Sequence, residues 1–592
     1  MPLLMMGAVI PAGADTPGWV MLKGTRTPPP PGATDRGQAP GNTAMDMQVL
    51  LNTRDPQGLA AAARAVSEPT SPGYSHYHTP EQVKNAYQLT LDQLAPVKAW
   101  LAGSGLQISD SGNWRYLDVK GTATQIEIAF HVQVHIYLSP EAKYTGQFIA
   151  FTTDLSVPTT VSRLVLNIRS GDSTMGNGMA SLSQASTPSA TQCSTYWGQN
   201  LATTLPKAYG HTPPYAVCGY TPQQLRDAYG ITPTGLTGKG QTVAVVEDEA
   251  STLEQDVNTW TTHTGTQPLA AGQLTVLSAT GTPNPKRQDP TNENTGEGII
   301  DVEAMHGMAP DAKINVLEPE VPAGINLGQF EAFSTIVDQH LATIVSNSTG
   351  DYQDNPNMQN ALDQVFQEGA LTGVGFYSSS GDNNEVPSSD YLVYPAASPW
   401  VTAVGGTSLA IGKDDQRLWE TGWGDGYATL TVNGTNWTAL PGGSGRGAGG
   451  GRNDNAPQPW YQHGIVPDNL AKGADGALRR VGADVAMDAD HMTGMRIGGT
   501  PIGPYLGVGT QYAESPIAGT SLAAPLFAGV QALAQQARGN QPIGFANPAL
   551  YHRYNTPSFR DITTYKLPDG SYPAAVGSDP HLNHGVLGLY TL

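Results

Sequence analysis

A serine stands directly before an apolar helical pattern near the C-terminal end of the sequence. Ala518-Gly519-Thr520-Ser521 is a turn of small residues, and residues 522–538 have the spacing of an apolar helix. The Ser521 hydroxyl is therefore expected at a helix N-terminus, a position typical of nucleophilic serines. Because a free serine hydroxyl is nearly inert at physiological pH, a neighbouring base must activate it.

Two carboxylates that are four residues apart are the candidate bases. Glu297 and Asp301 fall on one face of a predicted helix, within contact distance of each other. Like charges so close raise the pKa of one group, and the pair titrates as a unit. Below about pH 5 an imidazole is protonated, whereas a carboxylate can still accept the serine proton. A solvated acidic helix face is the alternative interpretation.

A third acidic residue ends a Ser/Gly turn that follows a predicted strand. Asp382 closes the segment of residues 376–383. If it faces Ser521 while protonated, it can donate a hydrogen bond to a developing oxyanion, whereas its ionised form would repel that charge. An ordinary turn with an Asx cap is the alternative.

These groups need a scaffold that brings three distant segments together. Short apolar strands alternate with helical patterns from residue 242 onward. The predicted strands cover residues 242–246, 274–277, 313–317, 343–346, 374–378 and 400–404, and the predicted helices cover residues 252–263, 296–305, 327–340 and 358–369. This alternation predicts an α/β fold, a parallel sheet with helices on both faces. The site in such sheets lies beyond the C-terminal ends of the strands.

An N-terminal α+β unit is predicted before residue 170. A capping box at Thr79-Pro80-Glu81-Gln82 starts a helix whose apolar spacing continues to Leu101. Residues 125–130 and 132–137 are predicted as strands. Residues 171–192 are Ser, Thr, Gly and Ala with almost no periodicity, which predicts an exposed linker open to proteolysis.

Length and charge limit the class of protein. A chain of 592 residues is long enough for two domains, one of them large. It has 50 acidic and 30 basic residues, so nucleic acid and anionic membranes are poor partners. Charged residues are only 14% of the chain, a composition that suits an acidic medium and also an ordinary secreted protein.

Three features concern the compartment. Residues 3–9 and Ala12-Gly13-Ala14 resemble the apolar part and cleavage site of a signal peptide, without its basic region. No other apolar run approaches transmembrane length. Cys193 and Cys218 are predicted to form a disulfide worth about 3 kcal/mol, which implies an oxidising compartment. A pair of reduced thiols is the alternative.

These motifs together resemble the sedolisin family, the serine-carboxyl peptidases, over essentially the whole chain. The resemblance rests on Gly519-Thr520-Ser521 with Pro525, on Glu297 with Asp301, and on Ser380-Gly381-Asp382, in the order typical of the family. Further matching segments are residues 220–230, 398–407 and 484–494, and in the N-terminal unit residues 71–74, 79–83, 100–101, 121–123 and 129–130.

The resemblance implies a subtilisin-like fold with a defined role for each acidic residue. Ser521 would be the nucleophile, Glu297 its general base, Asp301 the group that orients Glu297, and Asp382 the oxyanion donor. The implied domains are a signal-peptide remnant at 1–14, an activation prodomain at 15–170, a linker with the maturation cut at 171–192, and a catalytic domain at 193–592. The prodomain is expected to act as inhibitor and folding aid of a monomer that cleaves proteins and peptides.

The sequence also departs from what related enzymes carry. Subtilisin-type enzymes use a histidine base, but His306 lacks the expected His-Gly-Thr-His sequence and is assigned a structural role. Ser408 follows a strand rather than preceding a helix, which argues against it as nucleophile. Family members often extend the carboxylate network through a Glu and a Trp. Glu247 fills the first position but Thr349 occupies the second, so a shorter relay is expected.

The resemblance also implies one structural Ca²⁺. The matching ligands are the side chains of Asp561 and Asp579 with backbone carbonyls of Ile562, Ala575 and Gly577. Oxygen donors of this kind suit Ca²⁺. The closing residues 585–588 lack the aromatic-Asp ending of the family, and ordinary loop aspartates are the alternative.

The sequence thus predicts a secreted, acid-acting serine-carboxyl endopeptidase made as a self-processing zymogen. A tripeptidyl aminopeptidase of the same family is the first alternative. A His-dependent subtilase and a catalytically inactive binding protein are the others.

Overall fold

The computed structural model describes residues 18–26, 29, 32–109, 112–138, 147–170, 193–247, 252–284, 296–319, 325–350, 356–383, 392–438, 443–500, 511–564, 566–571, 573–578 and 585–590. The predicted leader at 1–14 and the predicted linker at 171–192 lie outside these ranges. We describe an N-terminal unit that ends at Ser170 and a C-terminal unit that begins at Cys193.

The N-terminal unit is α+β, as predicted. Its elements in chain order are β1 (Trp19–Met21), β2 (Thr34–Gln38), β3 (Ala44–Leu51), α1 (Pro56–Ser67), α2 (Pro80–Tyr87), α3 (Leu91–Gly103), β4 (Gln107–Ser109), β5 (Tyr116–Thr122), α4 (Ala123–Phe130), β6 (Val134–Leu138), β7 (Gln147–Phe151), β8 (Ser156–Pro158) and β9 (Val165–Ser170). An antiparallel sheet of order β4-β5-β3-β9 packs its apolar face with α3 and α4 around Val49, Val97 and Phe130.

Two of the predicted elements in this unit are wrong. Residues 125–130 form helix α4 rather than a strand, because Thr122 caps the helix: its hydroxyl accepts from the Gln125 N–H, and the Gln125 side chain accepts from the Thr122 N–H at 2.8 Å. The single helix expected from Pro80 to Leu101 is two helices. A second capping box at Thr90 and Gln93 ends the first pattern and starts the next.

The C-terminal unit is built on an eight-stranded sheet. Its elements are α5 (Pro222–Ala228), β10 (Thr242–Val246), α6 (Leu253–Thr264), β11 (Leu274–Ser278), α7 (Glu297–Met308), β12 (Lys313–Glu318), α8 (Ile325–Gln339), β13 (Ile344–Asn347), α9 (Pro356–Thr372), β14 (Gly375–Ser379), β15 (Thr402–Ile411), β16 (Arg417–Gly422), β17 (Gly424–Thr429), β18 (Gly443–Gly447), β19 (Gly451–Pro457), α10 (Asp468–Ala471), β20 (Arg479–Gly482), β21 (Val485–Asp488), β22 (Arg496–Gly499), β23 (Ala513–Pro516), α11 (Thr520–Ala537), α12 (Asn547–Tyr551), β24 (Ala574–Ser578) and β25 (Gly585–Tyr590).

The central sheet confirms the predicted parallel α/β fold. Its order is β11-β12-β10-β13-β14-β15-β16, with β21 also paired to β15. All pairs are parallel except β15 with β16. Strands β10 to β14 are separated by helices in the chain, which is what parallel neighbours require.

Successive residues of β10 show that both faces of the sheet are covered. Val243 and Val245 pack with residues of α7 and α11, whereas Ala244 and Val246 pack with residues of α8 and α9. Side chains alternate across a strand, so the two helix pairs lie on opposite faces. The candidate base and the candidate nucleophile therefore belong to adjacent helices on the same face.

The N-terminal unit docks on the face formed by α8 and α9. Leu59, Ala63 and Val83 share one buried cluster with Leu362 and other residues of those helices. The backbone N–H of Thr53 also donates to the Gln364 side chain at 3.0 Å. A contact that is apolar and hydrogen-bonded in this way holds the two units together.

One buried ion-pair cluster crosses the same contact. The Arg115 guanidinium of the N-terminal unit donates to Asp338 at 2.7 and 2.8 Å and to Glu368 at 2.8 Å through its Nε. Arg115 and Glu368 are buried, and Asp338 is partly exposed. Burial raises the pKa of Glu368 to about 7 although Arg115 opposes that shift. The carboxylates of this cluster all belong to the C-terminal unit.

Two observations bear on the compartment. Cys193 and Cys218 form the predicted disulfide. Within the described ranges, no helix combines the length and apolar character needed to cross a bilayer.

Candidate active site

Ser521 lies in the first turn of α11, as its sequence context predicted. Its neighbour Gly519 has a φ of 128°, in the region that favours glycine, and its N–H donates to the Ala489 carbonyl at 2.8 Å. This bend starts the helix at Thr520 and turns the Ser521 side chain into the interior, where the residue is only 2% exposed.

Glu297 is the first residue of α7 and lies beside Ser521. The Ser521 hydroxyl is close enough to the Glu297 carboxyl group to lower its pKa, and Oε1 of that carboxyl group is buried without a hydrogen-bond partner. Burial raises the pKa of Glu297 well above its ordinary value, the charge of Asp382 adds to that rise, and the Ser521 hydrogen bond opposes it. The group that meets the serine hydroxyl is therefore a carboxyl group, held where its ionised form is a stronger base than usual.

Asp301 lies one helical turn further along α7 and is fully buried. Burial raises its pKa, and the neighbouring charge of Glu297 raises it further. Two carboxyl groups under mutual repulsion share protons, so one of them accepts a proton more readily than an isolated acid. This is the arrangement that the four-residue spacing predicted.

Ser348 is a partner of Asp301 that the sequence did not identify. Its hydroxyl donates to Asp301 Oδ1 at 2.6 Å and lies 3.2 Å from the Ser521 carbonyl oxygen. The loop that carries it is held by Glu247, whose Oε1 accepts from the N–H groups of Ser348 and Thr349 at 3.2 and 3.0 Å. The network therefore continues from Asp301 through a serine and two backbone amides.

Asp382 lies against the residue that precedes the serine. Its Oδ1 accepts from both the N–H and the hydroxyl of Thr520 at 2.8 Å, while Oδ2 has no hydrogen-bond partner. The Thr520 oxygen in turn accepts from the Gly381 N–H at 3.0 Å, which fixes the hydroxyl as a donor toward Asp382. A proton on this carboxyl group must therefore reside on Oδ2, since Oδ1 already faces two donors.

Burial raises the pKa of Asp382, although Thr520 and the charge of Arg446 oppose the rise. The residue is 1% exposed, so its charged form loses hydration that two hydrogen bonds do not fully replace. Asp382 therefore keeps its proton to a higher pH than an ordinary aspartic acid.

Neither of the competing residues is close to this network. His306 is buried at the far end of α7, where its Nε2 is 2.7 Å from the Gln267 carbonyl oxygen, and burial lowers its pKa. Ser408 is buried within β15. The position of His306 fits the structural role predicted for it, and the position of Ser408 within a strand fits the expectation that it is not the nucleophile.

Two groups of residues are candidate metal ligands. Of the predicted calcium ligands, Asp561 is exposed, Ile562 follows it, Ala575 and Gly577 lie in β24, and Asp579 is outside the described residues. Their oxygen donors fit Ca²⁺ in chemical type, and the calcium site stays a prediction. A second group, which the sequence did not suggest, is Asp425, Asp490 and His491.

Two protein-family models match separate parts of the chain. Residues 31–174 match the family described as pro-kumamolisin, activation domain. Residues 289–552 match the subtilase family.

Individual relatives match over most of the chain. Kumamolisin from Bacillus sp. (strain MN-32) is 27% identical, over 90% of this chain and 87% of the relative. Sedolisin from Pseudomonas sp. (strain 101) is 27% identical, over 91% and 84%. Tripeptidyl-peptidase 1 of Rattus norvegicus is 24% identical, over 90% and 87%. A solved structure of Pseudomonas sedolisin with two molecules of pseudo-iodotyrostatin covers 61% of this chain and 92% of its own, with a TM-score of 0.47 and 27% identity.

Proposed function

We propose that this chain, which is similar to kumamolisin and sedolisin and matches their activation domain, is a secreted, acid-acting endopeptidase made as a self-processing zymogen. The observation that carries the proposal is that Ser521 lies beside the buried carboxyl group of Glu297, which is close to a second buried carboxyl group, Asp301. The disulfide supports an extracellular location, since such bonds persist in oxidising compartments. A structural Ca²⁺ at the Asp561 loop belongs to the same proposal.

The proposed reaction begins with attack by Ser521 Oγ on the carbonyl carbon of the scissile bond. Its proton passes to Glu297, whose neighbour Asp301 is held by the Ser348 hydroxyl. The oxyanion of the tetrahedral intermediate accepts a hydrogen bond from protonated Asp382. Glu297 then gives its proton to the leaving amine. A water molecule attacks the resulting acyl-enzyme by the same steps, with Glu297 again as the base.

Two groups of the site set the pH range of the proposed activity. Glu297 accepts the serine proton only in its ionised form, so its raised pKa makes activity fall at the acidic end of the range. Asp382 must be neutral to stabilise an oxyanion, and its raised pKa extends the pH range over which it is neutral. The Asp382 requirement is the one that makes activity fall as pH rises.

Acidification of the full-length protein is expected to trigger self-cleavage within residues 171–192 and to release a chain active on denatured protein. The reason is that the carboxyl groups of the site become competent in acid while the substrate segment is part of the same molecule. Mass spectrometry of the products measures both steps, and internal fragments of many lengths would identify an endopeptidase. Successive release of tripeptides would favour the tripeptidyl alternative.

Ser521→Ala is the matched control for this experiment. It should remain full length in acid, because it lacks the nucleophile. Clean cutting of Ser521→Ala without added protease would show that another enzyme performs maturation. Absence of any proteolysis by the parent at every pH would contradict the proposed function itself.

Arg115→Gln is expected to destabilise the precursor by about 3–5 kcal/mol at neutral pH and by less in acid. Removing the guanidinium leaves Glu368 buried without its cation. Burial raises the pKa of Glu368 to about 7 even with Arg115 present, so Glu368 is ionised only above about that pH. The attraction between Arg115 and Glu368 therefore stabilises the fold above that pH and is lost as pH falls through it. Denaturant unfolding of both proteins in a Ser521→Ala background, at neutral and acidic pH, measures the difference.

Lys120→Gln is the control for the Arg115 prediction. Lys120 pairs with Asp46 at 3.2 Å on the surface, where both side chains are 61% exposed. Its replacement should leave the unfolding midpoint unchanged at either pH. An equal loss for Arg115→Gln at both pH values would show that packing, rather than the ion pair, accounts for the effect.

A further inference from the structure

Two buried carboxylates and a partly exposed histidine outside the catalytic network bring two oxygen donors and a nitrogen together. His491 Nδ1 lies 3.1 Å from Asp425 Oδ2 and 3.6 Å from Asp490 Oδ1. One donor atom from each of the three residues lies within 4.8 Å of the others. Asp425 comes from β17, whereas Asp490 and His491 follow β21, so the fold itself assembles the group.

The separations match those of ligands on a small metal ion. Two donors about 2.1 Å from a tetrahedral ion are roughly 3.4 Å apart. The observed 3.1 and 3.6 Å fall on either side of that value. The two distances from His491 therefore suit a shared ion, and the Asp425 and Asp490 ligand atoms lie within 4.8 Å of each other.

Neighbouring groups orient the two carboxylates without replacing a metal. Trp423 Nε1 donates to Asp425 Oδ2 at 3.1 Å, and the Met492 N–H donates to Asp490 Oδ1 at 2.9 Å. Hydrogen bonds of this kind hold metal-binding carboxylates in position. The pocket thus has donors to orient each carboxylate as well as the candidate ligands themselves.

The pocket also holds more buried acid than its hydrogen bonds satisfy. Asp425 Oδ1 and Asp488 Oδ2 are buried and have no hydrogen-bond partner. Buried carboxylates without partners are costly unless a cation or a proton compensates them.

We propose that Asp425, Asp490 and His491 form a binding site for one divalent transition-metal ion, with Zn²⁺ as the best-fitting ion. An imidazole nitrogen with two carboxylate oxygens is a donor set for Zn²⁺ or Mn²⁺, whereas Ca²⁺ takes oxygen donors. The side chain of His491 is 14% exposed, which provides a path from solvent. The three proposed ligands include no residue of the Asp561 loop and none that takes part in the proposed reaction.

Titration of metal-free, full-length Ser521→Ala protein with Zn²⁺ tests the proposal. The experiment is done at mildly alkaline pH, because a histidine must be neutral to bind a metal ion. Ca²⁺ is present in excess to fill any calcium site. Calorimetry should show one Zn²⁺ per chain. Co²⁺ in its place should give the visible absorption bands of a tetrahedral nitrogen–oxygen site.

Variants of two of the three ligands distinguish Zn²⁺ binding at this site from Zn²⁺ binding elsewhere on the protein. His491→Gln and Asp425→Asn should each weaken Zn²⁺ binding by at least about 100-fold. The control is His263→Gln, because His263 Nδ1 is 2.6 Å from a single carboxylate, Glu514, on the surface. Binding that is equally tight in His491→Gln would overturn the proposal. So would a Co²⁺ spectrum of the parent protein that resembles the hydrated ion, a result that does not depend on how any ligand variant folds.

Discussion

Glu297→Gln is expected to lower kcat by about 10⁴- to 10⁶-fold while the protein keeps its fold. Gln has nearly the same shape and can still accept a hydrogen bond from Ser521, but it cannot take up the serine proton. Ser521→Ala should lose at least as much activity. Steady-state rates on a peptide substrate in acid, with thermal unfolding as the fold check, measure the effect.

Two residues on the same helix provide controls for the base assignment. Glu303 is a buried carboxyl group of α7 that accepts from the Gly498 N–H at 2.9 Å, away from the serine. Glu303→Gln should keep kcat at the parental order of magnitude. His306→Gln should do the same. If His306→Gln were folded and as inactive as Glu297→Gln, the histidine mechanism of subtilases would replace the carboxylate mechanism.

Asp382→Ala is expected to lose roughly 2.7–4 kcal/mol of transition-state stabilisation, which is about 10²- to 10³-fold in kcat, at acidic pH where Asp382 is protonated in the parent. Alanine has no donor for the oxyanion. Asp382→Asn should retain more activity, because its amide can donate from the position of Oδ2 while its carbonyl accepts from Thr520. The difference in kcat between the two variants measures the effect of the hydrogen bond separately from the effect of side-chain volume.

The pH profile of Asp382→Asn identifies the group that limits activity. The parent should lose activity as pH rises through the raised pKa of Asp382, since only the protonated form donates. An amide never ionises, so Asp382→Asn should lose less activity between acidic and neutral pH. An alkaline limb identical to that of the parent would assign the limit to Glu297 and Asp301 instead.

Local sequence patterns predicted most of the scaffold. The alternation of apolar strands and helices predicted the parallel sheet, because strands that are buried on both faces are apolar along nearly their whole length. The same approach failed at residues 125–130, where a short apolar run suits either a strand or a helix. The capping pair Thr122 and Gln125 decided the outcome, and its Thr-x-x-Gln spacing was present in the sequence.

The residues of the candidate site also differ in how well the local sequence predicts their positions. Glu297 and Asp301 are one turn apart, so their proximity depends only on local helix geometry. Ser348 contacts Asp301 across 47 positions of the chain, and nothing in its local sequence separates it from other loop serines. Its place directly after β13, at the strand ends where sites of parallel sheets form, is the one signal that could have found it. His491 and Asp425 meet by the same kind of long-range contact.

The first turns of α7 and α11 contribute a positive electrostatic potential to the site that does not change with pH. Peptide dipoles leave partial positive charge at a helix N-terminus, and the site contains two such ends, at Glu297 and at Ser521. Each favours nearby negative charge by about 0.3–1 kcal/mol, and by up to ~2 kcal/mol in a partly buried setting. A histidine base would gain a charge of the wrong sign in that field. A carboxylate base is instead stabilised by it at any pH, so the orientation of the two helices itself favours acidic catalytic groups.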